Sequence, residues 1–386
     1  MDCATDRADR LWAAQADDLA GLATRDRLRA LAPRRGRDFA SNDYLALSAA
    51  PELRDAVARA LVRGVPVGSG GSRLLRGNDP EHEALEAEAA AWTGAETALF
   101  VGSGYAANVA LLATLPQRGD VVIHDALIHA SMHEGLRLTR AEVRAVPHND
   151  AQGFADACAQ WRAAGNRGRI WLAVESLYSM DGDRAPLHDL IAMAEHHAAI
   201  VIIDEAHATG VFGTAGRGLA DGLDGRPDVV VLRTCGKALG VEGALICGPA
   251  VMRDMLVNRA RPFVFSTAPS PLMAAAVRAA IGLARNGDAR RAELMTRLSE
   301  AERLLAPLGI AATGSPIVPV ILGEDARAMA VAAALQDQGF DVRGIRPPTV
   351  PAGSARLRLS ITLNATRADL ADLAAALAPL LERTRS

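Results

Sequence analysis

The sequence predicts an α/β fold: a mainly parallel sheet covered by helices on both faces, followed by a smaller α+β domain. Three observations carry this reading. Apolar, β-branched runs such as Val201–Ile203 and Val229–Leu232 end in polar residues, as buried parallel strands do when they deliver a site at their carboxyl ends. Helical stretches alternate with such runs through the first two thirds of the chain. Beyond Pro269 the order changes to Ala-rich helices, then strand, helix, loop and strand. The expected divisions of the 386 residues are an amino-terminal helical segment (1–45), a large domain (46–268) and a carboxyl-terminal α+β domain (269–386).

Residues 1–35 read as an Arg/Ala/Leu-rich helix, followed by the basic cluster Arg34-Arg35-Gly36-Arg37. A solvated face accounts for those charges first, contact with an anionic substrate second. Asp38–Leu47 reads as a strand leaving into a turn, and Pro51 opens a helix to about Arg63. Gly64–Asp79 is glycine-dense and long for a plain connection, which suits a loop lining a site. Pro80 starts a helix running through Trp92, at the first-turn position proline tolerates. A short strand from Thr97, a glycine turn and a helix follow, and the free amides at such a helix start hold a phosphate. Further strands are expected at Asp120–His124, Ile170–Glu175 and Gly243–Gly248, with a helix over 186–198. A helix ends near Arg259, Arg261–Pro269 forms a rigid crossing, and Ala-rich helices reach Leu305. Strand Ile317–Leu322, helix Ala326–Gln338, loop Gly344–Ser354 and strand Arg356–Thr362 complete the chain.

Half the residues are hydrophobic and the net charge is −3, so no basic excess points to nucleic acid or an anionic membrane. No apolar run reaches the ~20 residues a membrane helix needs, and the first residues lack the basic-then-apolar order of a secretory signal. Cys3, Cys158, Cys235 and Cys247 are scattered without a Cys-x-x-Cys pair, which suggests neither a metal site nor a disulfide framework. A cytoplasmic protein is expected.

The two central runs deliver Asp204 and His207, then Thr234 and Lys237. A carboxylate and a lysine at neighbouring strand ends are what a pyridoxal phosphate enzyme needs: an amine to form an imine, and an anion to keep the pyridine nitrogen protonated. Lys237 is the only lysine in the chain, all other long basic residues being arginine. An arginine cannot deprotonate to form an imine, so the exception carries weight. Two other patterns compete. Asp204-Glu205-Ala206-His207 spells a helicase box, but no Gly-x-x-x-x-Gly-Lys-Ser/Thr loop precedes it. Gly102-x-Gly104-x-x-Ala107 matches a dinucleotide fingerprint, with Asp125 roughly ~20 residues on. An NAD(P)-dependent oxidoreductase therefore stands as a rival, as does a non-catalytic binding module on the same fold.

Taken together, Ser41-Asn-Asp-Tyr-Leu, Gly68-Ser-Gly-Gly-Ser-Arg, Ser103-Gly-Tyr-Ala-Ala-Asn, His129-Ala-Ser, Ser179-Met-Asp-Gly-Asp, Asp204-Glu-Ala-His, Thr234-x-Gly-Lys and Arg356-Leu-Arg-Leu-Ser form an ordered series. With it the chain resembles the α-oxoamine synthases, fold-type I pyridoxal phosphate enzymes that condense an amino acid with an acyl thioester and lose carbon dioxide. The resemblance implies that Lys237 holds the cofactor and acts as base, Asp204 meets the pyridine nitrogen, and His129 stacks on the ring. It places His207 and Ser179 beside the ring, and gives the phosphate to Ser103, Gly104, Tyr105 and Thr234, with Thr267 reaching in from a second subunit of a homodimer. Asn42, Glu175, Thr349 and Arg358 are the implied substrate contacts. Within the family, Ile345–Arg358 looks most like the members that join L-alanine to a pimeloyl thioester, carried on coenzyme A or a carrier protein, in biotin synthesis. Relatives using glycine or serine are the alternatives. Two departures stand out: Ala46 where the family commonly has glycine, and Cys235, a thiol beside the site, where a larger residue is usual.

Overall fold

The computed structural model describes the backbone of residues 2–382 and side chains from Leu11 to Glu382, so Cys3 lies outside the described side chains. The chain forms two compact units. The smaller takes residues up to Ser41, Leu298–Ile361 and Ala365 onward; the larger takes Asn42–Arg297 and Thr362–Asn364. Where the sequence suggested a boundary near Pro269, the division falls at Arg297.

Helix α1 (Asp2–Ala23) and the two-residue strand β1 (Arg37–Asp38) open the smaller unit. The helix is shorter than the 1–35 expected, and only Asp38 of the predicted Asp38–Leu47 strand region lies in a strand. The reason is local. Asp38 Oδ1 accepts the amides of Ala40 (3.1 Å) and Ser41 (2.8 Å). Asp43 Oδ1 accepts those of Leu47 (2.9 Å) and Ser48 (3.3 Å). Aspartates that capture following amides build turns and take those donors from any sheet. Nor is Arg37 a solvated charge: it meets Asp372 at 2.6 Å and lies 3.9 Å over the Phe340 ring.

The larger unit begins with α2 (Pro51–Val62) and α3 (Pro80–Thr93). Helix α3 starts with Pro80 behind a reciprocal cap: Asp79 accepts from Glu81, His82 accepts from the Asp79 amide, and left-handed Gly94 ends the helix. There follow β2 (Thr97–Val101), α4 (Gly104–Thr114), β3 (Val121–Asp125), α5 (Ala130–Leu138), β4 (Glu142–Val146), α6 (Ala151–Ala163), β5 (Ile170–Glu175), α7 (Leu187–His197), β6 (Ala199–Asp204), β7 (Val229–Thr234) and β8 (Ala244–Gly248). The strands make one seven-stranded sheet in the order β2-β8-β7-β6-β5-β3-β4. Only β8 runs against its neighbours. Every residue of β3, β5 and β7 is buried, as continuous apolar runs covered on both faces must be. Helix α4 is apolar nearly all round and correspondingly buried. Helices α8 (Ala250–Arg259), α9 (Arg261–Val264) and α10 (Pro271–Arg285) follow, α9 interrupting the expected rigid crossing.

Helix α11 (Asp288–Leu305) leads back into the smaller unit, with β9 (Ile317–Gly323), α12 (Asp325–Asp337), β10 (Phe340–Asp341), β11 (Arg343–Ile345), β12 (Ala355–Ser360) and α13 (Arg367–Glu382). Strands β11, β12 and β9 form an antiparallel sheet, and β1 pairs with β10 in parallel. Strand β11 takes up the first residues of the loop expected at 344–354. Phe39, Leu335, Phe340, Leu357 and Leu373 lie at the centre of this unit's own core.

Ala46 explains its departure from the family habit. Its φ is +52°, the left-handed region where a Cβ costs ~1–2 kcal/mol. Ala46→Gly relieves that strain against a loss of ~0.4–1 kcal/mol from greater freedom of the unfolded chain. The net expectation is a gain of roughly 0.5–1 kcal/mol, read as a higher midpoint in thermal or urea unfolding.

Candidate functional site

Strands β5, β6 and β7 end side by side, with Glu175 in register with Asp204, and Asp204 with Leu232. The residues just past these ends surround a cleft of about 440 Å³ that opens to solvent. Asp204, His207, Leu232, Thr234 and Lys237 line it from β6 and β7; Glu175 comes from β5, and Gly104, Tyr105, Asn108, His129 and Ser131 from the starts of α4 and α5. Sequence reading had assigned eight of these to one site. The fold brings them together.

One polar chain fixes the geometry. Asp204 is buried; its Oδ1 accepts the Ala206 amide at 2.9 Å and its Oδ2 accepts Asn108 Nδ2 at 2.7 Å. Asn108 Nδ2 also donates to Ser131 Oγ at 2.9 Å. With that oxygen already accepting, the Ser131 hydroxyl donates to His129 Nδ1 at 2.7 Å, where the Ser131 amide arrives as well. His129 Nδ1 is thus an acceptor, and a neutral ring carries its proton on Nε2. Burial pushes the His129 pKa down and nearby Lys237 adds to this, against Asp204. On the other side, Tyr44 OH sits 2.6 Å from His207 Nδ1 and 3.1 Å from Asn42 Oδ1, which holds the His207 ring in place.

Asn108, Ser131 and Tyr44 lie within the motifs, but the sequence alone does not mark them as site residues. For Asn108 a signal existed: it is the one polar residue in the buried run Ala107–Leu112, four residues after Gly104 and so above the helix start on the same face.

The start of α4 comes close to the end of β7. Ser103 caps α4 by accepting the Ala106 amide at 3.1 Å, and a Cβ on Gly104 would lie 3.4 Å from Thr234 Oγ1. The free amides of the first turn and the Thr234 hydroxyl therefore face one point, the arrangement that binds phosphate. Two buried oxygens lining the cleft, Glu175 Oε1 and Asn108 Oδ1, lack any hydrogen-bond partner. A carboxylate for a pyridinium, a lysine for an aldehyde, a phosphate cradle and unfilled polar positions are a donor set that fits pyridoxal phosphate.

Ser179 is buried and its amide donates to Glu175 Oε2 at 3.2 Å, while Thr267 is exposed and outside the cleft lining. Thr349 and Arg358 belong to the smaller unit, where Arg358 is buried on β12 and donates to Ser360 Oγ at 2.8 Å. The Cys235 thiol is fully buried and burial raises its pKa far above the ordinary range, so it is not a reactive thiolate. Asp125 is likewise committed: its carboxylate accepts the amides of Leu127 and Asn149, both at 2.7 Å, and meets His148 at 3.0 Å. It has no capacity left for a ribose, and β2 borders an antiparallel strand rather than a parallel one. The dinucleotide reading is set aside.

Residues 36–377 match the family model described as aminotransferase class I and II. The chain belongs to this family. Among curated relatives, an 8-amino-7-oxononanoate synthase of Anaeromyxobacter dehalogenans is 44% identical over 348 residues, covering 89% of this chain and 86% of that one. The enzyme of the same name from Mycobacterium sp. is 42% identical, with 90% of each chain covered. Among solved structures, a serine palmitoyltransferase variant from S. paucimobilis with bound pyridoxal phosphate and myriocin superposes with a TM-score of 0.84 at 27% identity, over 90% and 87% of the two chains. An 8-amino-7-oxononanoate synthase from Francisella tularensis gives 0.77 at 25%, over 91% and 99%. The α-oxoamine synthase resemblance is therefore borne out, with its fold-type I architecture and its pyridoxal phosphate. Among the described residues, no helix is long and apolar enough to cross a membrane.

His148 carries a prediction. It lies between Asp125 and Asp183, its Nε2 2.8 Å from Asp183 Oδ2, and so pins the loop after β5 that bears Ser179. Burial lowers its pKa, but the two carboxylates outweigh this and raise it to about 10. A raised folded-state value stabilises fully below the ordinary value near 6.5 and is lost as pH rises through about 10. His148→Gln is thus expected to melt below the wild type at neutral pH, with the gap closing as the pH approaches about 10. Paired thermal scans across that range check it.

Proposed function

We propose that this chain is an 8-amino-7-oxononanoate synthase, joining L-alanine to a pimeloyl thioester with release of carbon dioxide and the free thiol, in biotin synthesis. The observation that carries the reading is the convergence of Lys237, Asp204, His129 and the Gly104–Thr234 cradle on one cleft, in a chain so similar to enzymes of that name. Pyridoxal phosphate, when bound, supplies an electron-poor ring that accepts the charge left on the amino acid's α-carbon. Lys237 Nζ is the base that takes the α-proton. Asp204, held by Asn108 and the Ala206 amide, is by the same resemblance the residue that would meet the pyridine nitrogen. The neutral His129 ring offers a flat face for stacking, and His207 is held by Tyr44 to hydrogen-bond at the ring's edge. Asn42, Ser179 and Thr349 are further ligand contacts by resemblance. Arg358 suits the amino-acid carboxylate, since a guanidinium binds it with two parallel hydrogen bonds.

The new carbon–carbon bond joins the alanine α-carbon to the thioester carbonyl carbon; the thiolate leaves, and the alanine carboxylate departs as carbon dioxide. The donor is carried by coenzyme A or a carrier protein. Two copies form a homodimer in the cytoplasm, Thr267 of each reaching the phosphate held by the other. The serine palmitoyltransferase likeness favours testing L-serine beside L-alanine.

Lys237→Ala is expected to lose the visible absorption band of the bound cofactor and at least ~10²–10⁴-fold in turnover. In the wild type, L-alanine should perturb that band at lower concentration than glycine or L-serine. A tighter response to serine overturns the substrate, and a colourless protein that takes up no added pyridoxal phosphate overturns the reading.

A further inference from the structure

Glu175 is the carboxyl group in the cleft whose surroundings do not suit its charge. It ends β5 in register with Asp204 on β6, so two buried carboxyl groups stand on the same side of adjacent parallel strands, whose backbones run about 4.8 Å apart. Two such groups cannot both ionise cheaply, and the proton goes to the one less well supplied with donors. Asp204 has two short donors, Asn108 Nδ2 and the Ala206 amide. Glu175 has the Ser179 amide at 3.2 Å on Oε2 and nothing on Oε1, which is buried and lines the cleft. The charged and titratable groups facing it are Asp204, Asp125, Lys237 and Tyr178. Lys237 opposes protonation, while burial first and Asp204 second raise the Glu175 pKa well above the usual carboxyl range.

We propose that Glu175 is held as a neutral carboxylic acid whose Oε1–H donates a hydrogen bond to an anionic oxygen of the bound ligand. Only the ligand's identity rests on the proposed function; the protonation state belongs to the chain alone. A neutral Glu175 leaves Asp204 as the undivided anion of the pair. It also adds a donor to a cleft wall where a carboxylate would repel both the cofactor's ring oxygen and an amino acid's carboxylate.

The sign of the stability effect makes the test. A group neutral in the fold and ionised in the unfolded chain costs stability increasingly as pH rises above its ordinary value of 4.5. Glu175→Gln keeps a donor and the shape without that cost. Its melting temperature should match the wild type near about pH 5 and exceed it by a gap that widens toward about pH 8. A constant gap, or one that narrows as pH rises, overturns the proposal. Difference infrared spectra at neutral pH should show a carboxylic-acid carbonyl stretch in the wild type that Glu175→Gln lacks; its absence from the wild type overturns it equally. Glu175→Leu, with no donor, should weaken binding about 10-fold. The loss appears in the pyridoxal phosphate titration if the acceptor is the cofactor's, and in the L-alanine titration if it is the amino acid's. No change in either removes the donor role. Failure of every variant to bind pyridoxal phosphate would count against the proposed function, while the melting and infrared results would still decide the proton.

Discussion

The parallel register of β5, β6 and β7 is the constraint on which the site depends. Because side chains alternate across a strand, a slip of one residue would turn every group to the opposite face. In the register found, Glu175, Asp204 and Leu232 stand in a row, and Thr234 follows two residues on, on the same side. The cleft is lined by Leu232 and Thr234 but not by Arg233 between them. The strands are held in that register by burial on both faces, where any slip would expose apolar side chains or bury the polar ends.

The opposite face carries a second polar system built from the intervening residues. Arg233 is fully buried and donates both hydrogen bonds of one nitrogen's reach to Asp224, at 2.8 Å each, with Glu205 Oε2 at 3.8 Å. Glu205 accepts the amides of Leu219 at 3.0 Å and Ala220 at 2.8 Å, tying the glycine-rich spacer after β6 beneath the sheet. Burial raises the Glu205 pKa to about 7 even with Arg233 opposing it. Such a buried set adds little net stability over an apolar one, but removing one member leaves a charge without compensation, at a cost of ~3–5 kcal/mol. What it supplies is specificity. Glu205 and Arg233 can be satisfied in only one register, the same register that sets Asp204 and Thr234 in the cleft.

This division of labour explains what was legible in the chain. Strands β3, β5, β6 and β7 are apolar runs ending in polar residues, and β8 is an apolar run flanked by glycines; each was readable because burial on both faces leaves no other pattern. Strand β4, Glu-Val-Arg-Ala-Val, was passed over: as an edge strand it is largely exposed, so its sequence carries no continuous apolar signal. Helix α6 was passed over with it. Strands β1 and β10 pair two residues each across a separation of about three hundred positions, which no local pattern encodes. At the site, Lys237, Asp204 and His129 were legible because their chemistry is unusual at strand and helix ends. Asn108 showed only as the one polar residue of an apolar run and Ser131 not at all, because their roles become readable only once α4 and α5 bring Asn108 to the Asp204 carboxylate and to Ser131 Oγ.

The single lysine brings composition and chemistry together. Arginine serves where two parallel donors are wanted. Arg73 meets both oxygens of Glu86 at 2.9 and 3.1 Å while Glu86 also accepts the Phe100 amide, and Arg278 bridges Glu81 and Glu88. In each case the planar, permanently charged fork suits the partner better than an ammonium would. Those pairs tolerate, and benefit from, replacement of lysine by arginine throughout the chain. On the proposed function the demand at position 237 is reversed: there the nitrogen would give up its proton, form and release a covalent bond, and take a proton from carbon. A guanidinium does none of these. A composition that excludes lysine wherever structure alone decides therefore retains it at the one position where the chemistry requires an amine.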